Sequence, residues 1–396
     1  LDPRNGQVLA MVSVPGFDPN LFVNGISHAD YKSLLEDPAK PLYNRVLLGV
    51  YPPGSTVKPL VGLAGLETGL RKPADTVVST GVFYLPGQER GYRDDQRGGV
   101  GRVDLAGAIE MSVNTYFYKL ALDMGIDRFS AFMAKFGFGR PTGIDLIGEV
   151  SGVLPSREWK RATQNQPWFP GETVIAGIGQ GYWAVTPLQL AHAIATFADR
   201  GVPHVPRLGL ATQASVDAPK VALPNPPSGP SLVSDPAHWA AVDQGMQQVI
   251  YGARGTGRRI GVGFPYRIAG KSGTAERFSR TSDAFESRDK AYLATRHRAW
   301  FEAYAPADNP QIAAVALLES GAWGAEAAGP IVRTMLDSWL AAHGGVIEGA
   351  ERLPEPAPAS APPVPAAPPA AAPGATPVPP LAPAPATAAP RPGAGA

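Results

Sequence analysis

The sequence lacks cysteine entirely. This absence excludes disulfide bonds, thiol nucleophiles and thiolate metal sites, although it does not fix the compartment. Long apolar runs are missing as well. The longest aliphatic run, Ile312 to Leu318, is far shorter than the roughly 20 residues that span a bilayer. No secretory signal peptide is present, so the sequence predicts no membrane-spanning or targeting segment of its own.

A dominant charge is also lacking. The 35 basic and 34 acidic residues leave a net charge of +1, and no basic run or stripe occurs. We therefore expect neither nucleic acid nor an anionic lipid surface as a partner. Lysine is scarce, because only 10 of the 35 basic residues are Lys. A motif that requires lysine rather than arginine consequently arises less often by chance.

Proline is unevenly distributed along the 396 residues. Of 43 Pro, 16 lie in the last 43 residues, Pro354 to Ala396, together with 16 Ala and only two charged residues. A segment with so little apolar surface cannot offset the entropy lost on ordering, so we expect a disordered Pro/Ala-rich tail over 354–396. The rest has a nearly ordinary globular composition, and we expect one domain over 1–348.

The beginning of the chain resembles the interior of a domain. It has no initial Met, and the strand pattern Gln7 to Val12 follows directly on the turn signal Asn5-Gly6. A hairpin needs a preceding strand, and only four residues precede this turn. We expect an N-terminally truncated fragment, which leaves room for a missing membrane anchor.

Hydrophobic periodicity predicts helices in the middle of the chain and strands near its ends. Polar loops or short elements are expected over 18–41, 75–101 and 218–230. Helices are expected over 56–70, 104–125 with a break near Ser112, 126–136, 188–198 with Thr186 as N-cap, 239–250 and 329–342. Strands are expected over 7–12, 266–271, 299–305 and 311–319. This order favours one mixed α/β domain rather than two independent ones.

The first chemical motif is Ser55-Thr56-Val57-Lys58, directly after Pro52-Pro53-Gly54. A sharp entry followed by a helix would put Ser55 at the helix N-terminus, with Lys58 on the same face three residues later. A desolvated lysine can take the proton of a serine hydroxyl and turn it into a nucleophile. The alternative is an ordinary Ser N-cap with an incidental Lys. A second match, Ser287-Arg288-Asp289-Lys290, lies in a charged stretch that we interpret as a solvated loop.

The second motif is Ser112-Val113-Asn114, at the predicted break between two helices. A Ser hydroxyl can relay protons, and an Asn amide can bind a substrate carbonyl while holding a nearby Lys. The alternative is a helix cap, a position that Ser and Asn favour in any case.

The third motif is Lys271-Ser272-Gly273-Thr274, at the end of a predicted strand. One positive charge and two hydroxyls suit a substrate carboxylate, and Gly273 would allow another backbone or a ligand to approach closely. A plain strand end followed by a turn is the alternative.

Together the three motifs are more informative than each alone. S-x-x-K, S-x-N and K-S-G occur in this order, 54 and 157 positions apart, as in penicillin-binding proteins and class A β-lactamases. Over roughly Leu1 to Gly345 the sequence resembles the transpeptidase domain of class B, monofunctional penicillin-binding proteins, in particular the penicillin-binding protein 2 subfamily. Further stretches carry the resemblance: residues 2–6, 51–59, 123–128 and 177–183.

The resemblance implies a fold and a reaction. The fold would be an antiparallel five-stranded sheet flanked by helices, plus an all-helical lobe that carries Ser112 and Asn114. Ser55 would attack the D-Ala-D-Ala bond of a peptidoglycan stem peptide, and an amine of a neighbouring stem would then take the acyl group. The implied roles are Lys58 as general base, Ser112 as proton shuttle, Asn114 as ligand of the substrate amide, Lys271, Ser272, Gly273 and Thr274 as the carboxylate site, and the backbone N–H groups of Ser55 and Thr274 as the oxyanion hole.

The resemblance also implies partners and a location. β-Lactams would acylate Ser55, and a membrane glycosyltransferase and scaffold proteins of cell-wall elongation would be the protein partners. The catalytic domain would lie in the periplasm of a protein anchored in the inner membrane.

Two departures from the family pattern concern the site. Close relatives often have Asp where this chain has Asn114, although Asn matches the broader superfamily. Some relatives hold a metal just before this motif, but residues 84–114 contain no His or Cys. The six His also show no paired ligand spacing, so we predict no metal and no other cofactor. Stoichiometric zinc in the purified protein would overturn this.

Three rival functions remain after the motifs are considered. A class A β-lactamase would need a Glu four residues before an Asn, and this pattern does not occur between Asn114 and Lys271. A D,D-carboxypeptidase differs only in using water as the acyl acceptor, so the motifs do not separate it from a transpeptidase. The third rival is a non-catalytic β-lactam sensor domain.

Overall fold

The computed structural model describes residues 1–263, 265–276 and 297–343. The chain divides into Leu1–Ala350 and Glu351–Ala396, and the second unit lies outside the described residues, as does the second S-x-x-K match at 287–290. The predicted domain at 1–348 and the predicted tail at 354–396 therefore stay predictions.

The described residues alternate between helical and extended segments. The helices are α1 His28–Glu36, α2 Lys58–Glu67, α3 Leu105–Glu110, α4 Asn114–Met124, α5 Ile126–Lys135, α6 Arg157–Gln164, α7 Pro170–Ala176, α8 Pro187–Ala198, α9 Pro236–Tyr251, α10 Gly324–Ala327 and α11 Gly329–Ala342, with 3-10 turns at Pro19–Phe22 and Gly54–Val57. The strands are β1 Val77–Ser79, β2 Val82–Phe83, β3 Tyr92–Arg93, β4 Gly101–Val103, β5 Ala211–Thr212, β6 Val221–Ala222, β7 Ala269–Glu276, β8 His297–Ala305 and β9 Ile312–Leu318. The mixed α/β character predicted from the sequence is confirmed.

The main sheet is antiparallel, with the strand order β7-β8-β9. Helices α8 and α9 pack on one face and α11 on the other. Because both faces are covered, β8 is buried along nearly its whole length instead of alternating between buried and exposed residues. The predicted count of five strands is not confirmed, since the described part of this sheet has three. Leu1 lies beside β9 and exchanges two backbone hydrogen bonds of 2.8 Å with Ala313.

The strand predicted over Gln7 to Val12 is wrong. Only Gln7 forms an isolated bridge, with Arg207, and Val12 and Val14 are 70% and 72% exposed. The Asn5-Gly6 turn is present, since the Gly6 N–H donates to Asp2 O at 3.0 Å. Among the described residues no second strand lies alongside this segment, so alternating side chains alone did not make a strand.

Helix starts agree well with the sequence. Helix α8 begins at Pro187, and Thr186 and Gln189 form a reciprocal capping box with bonds of 3.1 and 3.0 Å. The long helix predicted over 104–125 is broken as expected near Ser112, where α3 ends and α4 has yet to begin. Helix α2 is buried from Lys58 to Leu66, so it lies inside the domain, where it packs against α9, α4 and α5.

None of the helices in the described ranges is both long enough and apolar enough to cross a bilayer.

Candidate active site

The turn that carries Ser55 is held from two sides. Gly54–Val57 is a 3-10 turn that runs directly into α2, and Ser55 in it is half-buried. The Gly54 N–H donates to Gly179 O at 2.9 Å. Gly54 has φ +58°, and a Cβ there would lie 2.9 Å from Thr274 O. Only a glycine therefore lets β7 come this close to the residue before Ser55.

Lys58 is the hub of a buried hydrogen-bond cluster. Its Nζ donates to Asn114 Oδ1 at 2.6 Å, to Ser112 O at 2.7 Å and to Ser112 Oγ at 3.1 Å. Burial lowers the pKa of Lys58 to about 8, against the opposing attraction of the Asp95 and Asp94 carboxylates. A lysine with such a pKa is partly neutral near physiological pH and can act as a general base.

Ser112 lies between α3 and α4 in a conformation that non-glycine residues rarely adopt, with φ +57°. Its Oγ accepts from Lys58 Nζ at 3.1 Å and from Lys271 Nζ at 3.0 Å. An ammonium group can only donate, so a hydroxyl that accepts from two of them keeps its own O–H available as a donor. The strained backbone thus directs one hydroxyl at two lysines that come from distant parts of the chain.

Asn114 is the first residue of α4 and has both ends of its amide engaged. Its Oδ1 accepts from Lys58, and its Nδ2 donates to Arg93 O at 3.1 Å. Because the amide carries two N–H groups, one donor remains beyond the described contact with Arg93.

The Lys271-Ser272-Gly273-Thr274 motif lies on β7, alongside the nucleophile turn. Lys271 Nζ donates to Ser112 Oγ and to Ser272 O at 2.8 Å. A Cβ on Gly273 would lie 2.7 Å from Thr56 Cγ2 and 3.1 Å from Pro53 O. Gly273 therefore sets how closely the strand approaches the turn. Burial, and then the neighbouring Lys58, hold the pKa of Lys271 well below its usual value.

The structure thus brings Lys58, Ser112, Asn114 and Lys271 into one hydrogen-bonded cluster, with Ser55 one turn before Lys58. The hydroxyls of the β7 motif face partners that the sequence did not indicate. Ser272 Oγ lies 2.9 Å from Thr256 Oγ1, and Thr274 Oγ1 accepts from the Gly324 N–H at 3.4 Å.

The sequence did not indicate the roles of two carboxylates near the cluster. Asp94 accepts from Ser79 Oγ at 2.7 Å and from both Thr115 N and Thr115 Oγ1, so it fixes the start of α4. Glu302 is buried on β8, directly opposite Lys271 in the β-ladder. The only sequence signal for Glu302 is one acidic residue in the otherwise apolar run 299–305. Within the described residues no three His, Asp or Glu side chains cluster as metal ligands would.

Comparisons with known proteins all point to the same protein family. The family described as "Penicillin binding protein transpeptidase domain" matches residues 1–337. The "Peptidoglycan D,D-transpeptidase MrdA" of Escherichia coli is 43% identical over 336 residues, which are 85% of this chain and 53% of the relative. The chain thus spans about half the length of the curated relatives it matches.

Solved structures show the same similarity. PBP2 of Pseudomonas aeruginosa in complex with WCK 5153 superposes with a TM-score of 0.77 and 46% identity, covering 86% of this chain and 72% of that one. PBP2 of Helicobacter pylori in its complex with MreC gives a TM-score of 0.74 and 30% identity, covering 87% of this chain and 60% of that one.

Proposed function

Because the chain belongs to the penicillin-binding protein transpeptidase family, we propose that it is a serine D,D-transpeptidase that cross-links peptidoglycan stem peptides during cell-wall elongation. Its mixed α/β fold is the one that this family shares. The observation that carries the proposal is the convergence of three motifs on Ser112 Oγ, to which both Lys58 and Lys271 donate.

The first half of the reaction is acylation of Ser55. Lys58 takes the hydroxyl proton while Ser55 Oγ attacks the carbonyl carbon of the penultimate D-Ala. The backbone N–H groups of Ser55 and Thr274 stabilise the negative charge on the carbonyl oxygen. The close approach of Gly54 to Thr274 supports this pairing, because it brings the two N–H-bearing segments together. The C–N bond then breaks, Ser112 gives its proton to the leaving amine while Lys58 passes the proton from Ser55 on to Ser112, and D-Ala departs.

The second half transfers the acyl group. An amine on a neighbouring stem peptide attacks the Ser55 ester, its proton returns through Ser112 and Lys58 to Ser55 Oγ, and a new amide bond forms. Lys271, Ser272, Gly273 and Thr274 bind the terminal carboxylate of the donor stem, and Asn114 binds its amide backbone. The second N–H of the Asn114 amide, beyond its described bond to Arg93, and the Nζ donor group of Lys271 support these roles.

Labelling with a fluorescent penicillin tests the proposal. A β-lactam presents a strained amide and a carboxylate, so it should acylate Ser55 and remain bound. We expect stoichiometric labelling of the wild type and none of Ser55→Ala. Ser287→Ala is the matched control, because Ser287 begins the second S-x-x-K in the sequence, and it should label normally. Labelling of Ser55→Ala would refute the assignment of the nucleophile.

The fate of the acyl group separates the rivals. With a stem pentapeptide and an acceptor amine, a transpeptidase releases D-Ala and forms a cross-linked product. A D,D-carboxypeptidase releases D-Ala but gives only the hydrolysed tetrapeptide. A β-lactam sensor is labelled by penicillin yet releases no D-Ala, and a β-lactamase turns penicillin over continuously.

We propose the location and partners from the family resemblance. The domain would work in the periplasm on a protein anchored in the inner membrane, with a membrane glycosyltransferase and elongation scaffold proteins as partners. The solved complex of Helicobacter pylori PBP2 with MreC supports a scaffold partner for that relative. Opening the outer membrane of the native cells should expose the domain to added protease. Digestion only after lysis of the inner membrane would contradict the periplasmic location.

A further inference from the structure

Lys160 is a buried cation on a helix whose other residues are largely exposed. It lies on α6 and is 1% exposed, whereas Arg157 and Arg161 on the same helix face solvent. Its Nζ donates to the carboxylate of Glu172 on α7. A buried charge needs an opposite charge nearby, because its removal from water is costly. The proposed catalytic steps use neither Lys160 nor Glu172, so the pair has another role.

Three aromatic rings surround the same ammonium group. The Nζ atom lies 4.6 Å from the ring centre of Phe169, 5.7 Å from that of Tyr182 and 6.0 Å from that of Trp168. Such rings attract a cation most strongly where water is excluded. The second carboxylate oxygen of Glu172 accepts from the Phe169 N–H at 2.8 Å and so caps the start of α7. One cation therefore contacts the carboxylate that caps α7 and also the ring of Tyr182, which comes after that helix.

The segment between Glu172 and Tyr182 reaches the nucleophile turn. Helix α7 ends at Ala176, and Gly179 O, shortly after it, accepts from the Gly54 N–H at 2.9 Å. The two backbones are so close that a Cβ on Gly179 would lie 2.2 Å from Gly54 O. Because Gly54 directly precedes the proposed nucleophile, a shift of Gly179 would also move the nucleophile.

The same segment contacts α4, the helix that begins with Asn114. A Cβ on Gly177 would lie 2.6 Å from Ala121 Cβ and 2.7 Å from Phe117 O. The ring of Phe117 in turn has its centre 5.5 Å from Lys58 Nζ. The segment after α7 thus contacts both the nucleophile turn and the helix that packs beside the proposed base.

Backbone hydrogen bonds fold this segment onto α7. The Gly179 N–H donates to Ala176 O at 3.0 Å, and the Gln180 N–H donates to Ile175 O at 3.1 Å. These bonds shape the turn locally, but they do not connect it to another helix. The side chain of Lys160 makes that connection, because it joins α6 to both ends of the segment.

We propose that Lys160 is a positioning residue that acts through Gly179. Its ammonium and the Glu172 carboxylate fix the segment after α7. The Gly179 carbonyl in this segment then keeps Gly54 and Ser55 where attack on the substrate requires them. A displacement of about 1 Å can cost on the order of a hundredfold in rate, even when its cause is distant. The inference deepens the proposed function and rests on it for its catalytic meaning.

Hydrogen–deuterium exchange tests the positioning without any enzymatic activity. Lys160→Met removes the charge and keeps a long side chain among the rings. The Gly54 amide should then exchange about tenfold faster, because its hydrogen bond to Gly179 O opens more often. The effect should exceed any change in the amides of β8, which report the stability of the whole domain.

Arg157→Met is the matched control. Arg157 lies on the same helix and pairs with Asp127 at 2.9 Å, but the two side chains are 55% and 65% exposed. An exposed pair contributes little to stability or geometry. Exchange of the Gly54 amide should therefore stay as in the wild type.

The double variant Lys160→Met/Glu172→Gln separates positioning from stability. It leaves no unpaired charge at this site, and an amide oxygen at position 172 can still accept from the Phe169 N–H. The melting temperature should therefore return close to that of the wild type. The Gly54 amide should still exchange faster, because the cation that joins α6 to the segment is gone. If the single variant does not fold, the double variant decides the question.

Penicillin acylation of the double variant tests the catalytic meaning. At saturating penicillin the rate constant should fall about tenfold or more, because the nucleophile is displaced. The apparent affinity should change by less than about twofold, because the proposed carboxylate site on β7 is untouched. A purely structural role would instead lower the fraction of protein that labels and leave the rate constant of the labelled fraction unchanged.

The two measurements separate this inference from the proposed function. Exchange at Gly54 and an acylation rate constant that both stay as in the wild type, in a folded double variant, would overturn the inference. Faster exchange at Gly54 in the variants, with no penicillin labelling of the wild type, would refute the transpeptidase proposal and leave the positioning of the turn standing.

Discussion

At the scale of single residues, Ser112 and Lys58 determine the chemistry of the site. Ser112 adopts φ +57° so that its hydroxyl accepts from two lysines, and such backbone strain persists only where the surroundings enforce it. Here the end of α3 enforces it, through the bonds of Ser112 N to Ile109 O and of Val113 N to Ala108 O. The buried position of Lys58 in turn makes an ordinarily cationic side chain a usable base.

The pH dependence of acylation follows from Lys58. Its pKa of about 8 means that the neutral form, which takes the Ser55 proton, becomes more abundant as pH rises towards 8. We expect the second-order rate of penicillin acylation to rise about tenfold per pH unit between about pH 6 and about pH 7 and to level off only above about pH 8. Stopped-flow labelling across this range checks it. A rate that is flat below pH 8 would show that Lys58 is not the base.

At the scale of elements, the geometry depends on how closely β7 lies against the nucleophile turn. Two glycines allow this approach: Gly54 on the turn faces Thr274, and Gly273 on the strand faces Thr56 and Pro53. A side chain at either position would meet backbone or the short Thr56 side chain, which has little room to move. The oxyanion-hole pairing of Ser55 and Thr274 therefore requires glycine, which has no Cβ atom, at positions 54 and 273.

Gly273→Val tests this packing. The added side chain should push β7 away from the turn, and a displacement of about 1 Å at reacting groups costs on the order of a hundredfold in rate. We expect penicillin acylation to fall by about that factor. Gly98→Ala is the control, because a Cβ at Gly98 meets nothing within 4 Å. A Gly273→Val protein acylated at the wild-type rate would contradict the packing argument.

At the scale of the whole molecule, one large core joins α2, α4, α8 and α9 to the sheet. This core brings together residues that are 54 and 159 positions apart in the sequence, as in the Lys58–Ser112 and Lys271–Ser112 contacts. Helix α11 closes the other face of the sheet with Val332, Leu336 and Leu340, all fully buried. The Pro/Ala-rich tail begins after this helix, and we propose that it contributes nothing to the core.

Truncation tests the proposed boundary. A chain ending at Leu353 should unfold within about 2 °C of the full chain and be acylated at the same rate, because the removed residues are mostly Pro and Ala and have few large apolar side chains. A chain ending at Thr334 is the matched comparison. It loses Leu336 and Leu340, and each lost buried Leu costs about 2–5 kcal/mol, so most of the domain's stability should disappear. Strong destabilisation of the chain ending at Leu353 would place the tail inside the domain.

Local chemistry explains which elements were predictable. Helix α8 begins where Thr186 and Pro187 indicate, because capping involves only neighbouring residues. Strand β8 was predicted within two residues, since its apolar run is long and ends before Pro306. The prediction of a strand over Gln7 to Val12 was wrong because a strand needs a partner. Pairing depends on distant residues, which a local pattern does not contain.

The sequence by itself determined the motif residues and their order, the family they belong to, and the break in the helix at Ser112. Only the tertiary structure decided that Ser112 bridges Lys58 and Lys271, that Asp94 fixes the start of α4, and that Glu302 lies opposite Lys271. The physical reason is that a charge state depends on burial and on neighbours in space. These arise from strand register and helix packing across the whole chain, which the local pattern of residues does not specify.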